Sequence, residues 1–351
     1  MSYNAFIRIF SAICMLSSPL AYAFEPSDNI EFKLVNEYHV SGEGRWDFLT
    51  FEPQKHRLFI SRSNHVQVID ADSGILLGDI PGTEGVHGIA LAEDLNVGFT
   101  SNGKSNSVTV FDLTTLNVID NIIIPGLNPD AILYEPKSKH IYTFNGRSAN
   151  ATVIDALSRK VIATVSLPGK PELAVSNGEG KIFVNIEDKS ELVAIDIATH
   201  KVVKTFSLGS GTEPTGLALD RKNNRLFSVC ANNKMIILDS ESGEIKAEVI
   251  IGNGPDSAAF DPDLLMAFSS NGDGTLTVIK ESEKSAGRFT VSQNVVTRKG
   301  ARTMAYDSDK HRAYLVTASF GETPSATKEQ PKASPVILPN SFVVLVVALT
   351  H

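Results

Sequence analysis

The chain has 351 residues, 42% of them hydrophobic, with 32 basic against 40 acidic side chains and a formal charge of −8. That length supports a large core, and the net acidity argues against a general polyanion binder, so nucleic acid is not an expected partner. Two cysteines, Cys14 and Cys230, leave almost no scope for disulfide chemistry.

Residues 1–23 hold one basic side chain, Arg8, then an apolar run from Ile9 to Leu16, then Ala21, Tyr22 and Ala23 in the small-x-small pattern of a cleavage site. They read as a secretory signal peptide, too short for a membrane span. The expected location is therefore periplasmic or secreted. Cys14 departs with the leader, and Cys230, in the apolar run LFSVC, is expected to be a small buried hydrophobe.

Residues 31–40 carry Phe32, Leu34, Val35, Tyr38 and Val40 and look like a strand without a local partner. Beyond them a phrase recurs: VQVID ending at Asp70, SVTVFD at Asp112, ATVID at Asp155, LVAID at Asp196, MIILD at Asp239, and a degraded LTVIK at Lys280. Successive aspartates lie 42, 43, 41 and 43 residues apart, which is the period of a propeller blade. Each unit holds four short runs rich in Val, Ile and Phe, bounded by Gly, Pro, Asn and Asp, as strands joined by tight turns do.

The first runs of the units are DFLTFEP, HGIALAED, DAILYEP, ELAVSNGEG, TGLALD, DSAAFDP and RTMAYDSD, which makes seven. The predicted fold is all-β, a single seven-bladed β-propeller of four-stranded blades over residues 24–351. Unit seven has first, second and third strands near residues 303–306, 312–317 and 342–349, and no fourth. Residues 31–40 are expected to supply it and so close the ring. Residues 321–340, GETPSATKEQPKASPVILPN, read as a Pro-rich loop inserted in blade seven.

TSNGKSNSVTVFD and TFNGRSANATVID, preceded by PDAILYEP and GPDSAAFDP, resemble the YVTN-repeat propellers and the YncE-like exported bacterial proteins. The resemblance covers residues 31–350, including PNSFVVLVV near the end. It implies an extracytoplasmic binding or scaffolding module, while other propellers of this architecture are lactonases or cofactor-carrying oxidoreductase domains. Trp46, Val86 and Ala301 depart from the pattern at the position where other units have Pro129, Pro171, Pro214 and Pro255. No CxxCH haem site is present.

Gly98 to Ser105 satisfies the P-loop formula GxxxxGKS, but SVTVFD follows with strand periodicity, so no helix can start there to hold a phosphate. The turns DADSG, DSESG and NGDG are acidic because Asp and Asn close tight turns with their own side chains. The serine-hydrolase elbow and HExxH are absent, and no catalytic residue is assigned.

Superposing the units places one residue from each at the opening of its innermost strand: Asp47, His87, Asp130, Glu172, Thr215, Asp256 and Arg302. Innermost strands line the central channel, so these side chains are expected to ring one mouth, with Arg45, Trp46 and Glu213 on its rim. Arg302 is the expected counter-ion of both Asp256 and Asp47. Three readings stay open: a hydrated structural ring, a site for a small molecule or protein partner, or a metal centre at Asp47, His87 and Asp130. The metal reading implies a divalent cation such as calcium and a lactonase-like hydrolase; otherwise no cofactor is expected. The protein is expected to be a monomer.

Overall fold

In a computed structural model, Met1 and residues 31–282, 287–325 and 335–350 are described; the signal-peptide segment lies outside them. Twenty-eight strands form seven antiparallel four-stranded sheets, each running from an inner to an outer strand in chain order except the last. The innermost strands are Leu49–Glu52, Val86–Ala92, Pro129–Glu135, Pro171–Ser176, Pro214–Asp220, Pro255–Asp261 and Met304–Asp307. Among the described residues no helix is long and apolar enough to cross a membrane.

Repetition extends to irregularities. In blades one to six the pairing of third with fourth strand skips a residue at one equivalent place, from Val68/Ile69 to Val278/Ile279. A bulge at a fixed position adds twist, and identical bulges give the six sheets the same curvature. Both faces of the middle strands are buried, because every sheet has a neighbour on each side.

The VID aspartates close turns. Asp70 Oδ1 accepts from Ser73 N at 2.8 Å and Ser73 Oγ at 2.7 Å, and Asp112, Asp155, Asp196 and Asp239 do the same. Their carboxylates are spent on local backbone donors. The second strands end in a buried asparagine in three blades: Asn102, Asn145 and Asn271 each donate to the third strand and accept from a hydroxyl two residues back. Cys230 ends the equivalent strand of blade five, fully buried, and burial pushes its thiol up to about 12.

Closure is as expected. Glu31–His39 pairs antiparallel with Val343–Thr350, from Glu31↔Thr350 to His39↔Val343, as the outer strand of blade seven. Phe32 is buried edge-on against Phe268, 5.1 Å between centroids, and Gln293 of blade six bonds both its amide and its carbonyl. Val35 is 49% exposed, because a bulge between Leu34 and Asn36 leaves it without a cross-strand partner. On the blade-one side, Asp72 gathers Lys310 and Arg312 at 2.8 Å and His56 at 3.7 Å. Fully buried Arg62 donates to the Gly42 and Gly44 carbonyls and lies 3.9 Å over the Phe342 ring.

Two features were not expected: the short 3-10 turns Glu93–Leu95 and Glu187–Lys189. Three residues are too few for a sequence period to reveal them.

Phe32→Ala is expected to cost about 3–5 kcal/mol in urea unfolding, the range for emptying a buried aromatic site. Removing residues 31–40 should also broaden the melt and promote association through the freed edge; an unchanged melting profile would contradict closure by this strand.

Candidate functional site

Residues on all seven innermost strands, or just ahead of them, line a central space of about 140 Å³, among them Phe48, Ile89, Ile132, Leu173, Leu217 and Met304. Its lining mixes these apolar side chains with Thr50, Ser257 and exposed backbone, and most of the ring residues stand immediately before it. The mouth is therefore a charged collar over a floor of mixed aliphatic and polar character. Asp47 and Arg302 lie just ahead of the assigned strands, and the other five ring residues are second in theirs.

The collar is held through its backbone by the blade before. Phe48 N donates to His87 O, Ser101 Oγ to Asp130 O, Asn185 Nδ2 to Thr215 O, Ser270 Oγ to Arg302 O, and Thr303 Oγ1 to Asp47 O. Thr215 itself uses its hydroxyl on Pro255 O at 3.1 Å. Side chains are thereby freed to point at one another.

His87 Nδ1 lies 2.5 Å from Asp47 Oδ2 and 3.7 Å from Asp130 Oδ1. Burial works against the charged imidazole, but the Asp47 hydrogen bond and the charges of Asp130, Asp47 and Glu172 outweigh it and raise its pKa. His87 thus lies between two carboxylates that favour its charged form. The room for it comes from Gly103, where a Cβ would lie 2.7 Å from His87 Nε2. That glycine belongs to the P-loop-like stretch, which is a hairpin between Val97–Asn102 and Ser107–Asp112.

Across the collar Arg302 Nε pairs with Asp256 at 3.1 Å, whereas Asp47 takes His87. The expected double role of Arg302 is thus divided between two cations. Burial, opposed by Arg302 and aided by Asp47 and Asp130, pushes Asp256 up to about 7. Burial first, then carboxylate neighbours, likewise raises Asp130 and Glu172.

Two residues escaped sequence reasoning. Lys170 Nζ binds Glu172 at 2.7 Å and also Glu187, whose charge reaches Asp130 and Asp256. Lys170 stands two residues before its ring member, as Arg45 does, so superposition held the signal for it; Glu187 lies on an unforeseen 3-10 turn. Arg45 and Trp46 sit at the rim, Arg45 donating to Pro335 O at 3.2 Å and Trp46 packing 6.1 Å from Phe320. The base of the insertion, bridged at Phe320 and Ile337, is thus on the collar side; its residues 326–334 lie outside those described. Glu213 is exposed, its amide bonded to Ser190 Oγ.

Asp47, His87 and Asp130 each offer a donor atom within 4.8 Å of the others. Donors of one ion bound at about 2.0–2.6 Å normally stand roughly 3 Å or more apart. The 2.5 Å between His87 and Asp47 suits a shared proton instead. As arranged, the trio does not fit a metal.

The molecule is a seven-bladed β-propeller. No protein-family model matches the chain, and no curated protein matches its sequence. Among solved structures, a chain of Kuenenia stuttgartiensis hydrazine synthase superposes with a TM-score of 0.67 at 17% identity, covering 86% of this chain and 97% of that one. At that identity the likeness concerns the fold alone.

With their pKa values raised, Asp130, Glu172 and Asp256 bind more protons in the folded state than in the unfolded one, and so does His87 above its ordinary 6.5. The contribution of these four groups to stability is therefore fully present below their ordinary pKa values and is lost as pH rises through about 7. Urea midpoints between pH 5 and 8 should decline accordingly, with a shallower slope in Asp256→Asn; equal slopes would refute the linkage. Gly103→Ala should destabilise the protein by displacing His87, seen as a change in that imidazole's NMR titration.

Proposed function

We propose that this protein is an exported binding propeller of the YVTN-repeat, YncE-like kind, acting as a monomer in the periplasm or outside the cell. Its collar receives a small ligand, or a segment of a protein partner, that presents a cationic group. One observation carries this reading: the carboxylates of Asp47, Asp130, Glu172, Asp256 and Glu187 gather at one mouth and outnumber the His87, Lys170 and Arg302 that pair with them, with Arg45 out on the rim. Crowding and burial leave three of them short of ionisation, and an incoming ammonium or guanidinium would complete it.

A metal-dependent hydrolase is the second reading, favoured by the closeness of Asp47, His87 and Asp130. It requires His87 to turn away from Asp47 first.

Calorimetric titration with butylammonium at neutral pH, in two buffers of different ionisation enthalpy, separates the readings. One-to-one binding with proton release is expected, weakened roughly tenfold in Asp130→Asn by loss of one partly buried charge partner. Absence of amine binding, together with stoichiometric calcium or zinc that Asp130→Ala loses, would replace the first reading with the second.

A further inference from the structure

Beside the collar, between the loops of blades six, seven and one, lies a cavity of about 1080 Å³ with a character opposite to that of the ring. Arg45, Arg298, Lys299 and Arg302 line it, and among the described residues no acidic one does. In a chain of net charge −8 this is a local inversion of sign. Arg298 is paired with Glu37 and Arg302 with Asp256, both outside the lining. Arg45 is engaged only by the Pro335 carbonyl, which leaves its charge uncompensated, and exposed Lys299 has no side-chain partner among the described residues.

The remaining wall joins an aromatic and aliphatic surface to Ser319 and Thr323. Trp46 and Phe320 stand 6.1 Å apart at a tilt of 41°, and Trp46 continues onto Phe342 at 5.1 Å. Ala318 and Ile337 extend this surface, and Arg45 pins Pro335 at its edge. Volume, aromatic wall and unbalanced cations together describe a site for a drug-sized organic molecule with one anionic end. A guanidinium and an ammonium in one lining suit a carboxylate or sulfonate, which Arg can grip with two parallel hydrogen bonds.

We infer that this cavity is a second binding site, for an aromatic oxyanion whose planar body lies against Trp46 and Phe320 and whose charged end meets Arg45 and Lys299. The inference does not rest on the collar's taking a cation. The two sites divide ligands by charge: the collar repels anions, the cavity repels cations, and Arg302 stands between them.

Trp46 is the only tryptophan in the chain, so its emission reports on this site alone. The probes are biphenyl-4-carboxylate and its neutral carboxamide, followed by Trp46 fluorescence and by calorimetry on the full chain. The carboxylate should shift the emission and bind roughly tenfold or more tightly than the amide, the worth of a charge-assisted hydrogen bond. Arg45→Gln combined with Lys299→Gln should remove most of that preference while leaving the melting temperature unchanged, since both side chains are exposed. Trp46→Phe should abolish the optical signal but retain calorimetric binding. Equal affinity for acid and amide would overturn the proposal, as would undiminished binding by the double variant, or displacement of the carboxylate by equimolar sodium sulfate.

Discussion

One antiparallel pairing, between Glu31–His39 and Val343–Thr350, holds the ring shut. Six sheets are built from consecutive chain and need only their own turns; the seventh gains its fourth, outer strand only because the two ends of the described chain meet. That pairing removes the open edges that a run of blades would otherwise expose. The supporting interactions are unlike those elsewhere. A buried arginine, Arg62, is solvated by glycine carbonyls and an aromatic face in place of an asparagine network, and Asp72 collects Lys310 and Arg312 across the seam and His56 from its own blade.

Closure also decides the chemistry of the mouth. It brings Arg302 and Thr303 beside Asp47, so the last ring member meets the first, and the Thr303 hydroxyl fixes the Asp47 carbonyl as other donors fix theirs. Carboxylates that are unremarkable in a linear sequence become one another's neighbours, with the consequences described for Asp130, Glu172 and Asp256. The same crowding favours the charged form of His87.

Much of this was legible from the period. A 42-residue repeat predicts blades, and aligning repeats predicts which residues share a height in the channel, so all seven ring positions could be named before any coordinate. The second strand of blade seven was placed correctly at Arg312–Thr317, and the outer strand within a residue of Glu31–His39. Alignment sees equivalent positions only. Glu187 approaches Glu172 through Lys170 from a different strand connection, and the sharing of charge among Asp47, His87, Asp256 and Arg302 depends on rotamers, not register. Gly103 illustrates the same limit: its letters suggested a phosphate loop, and its actual task is to leave space for an imidazole. The cavity beside the collar lay beyond reach for another reason, since it is built from loops that do not repeat.

The donors that reach forward from each blade to the next ring carbonyl give the opening a mechanical property. Five members of the collar are fastened not to their own sheet but to its predecessor, always in the same rotational sense. The aperture therefore behaves like an iris whose leaves overlap: none can widen without dragging the one behind it. Evolution can repaint such an opening one side chain at a time while its diameter stays put.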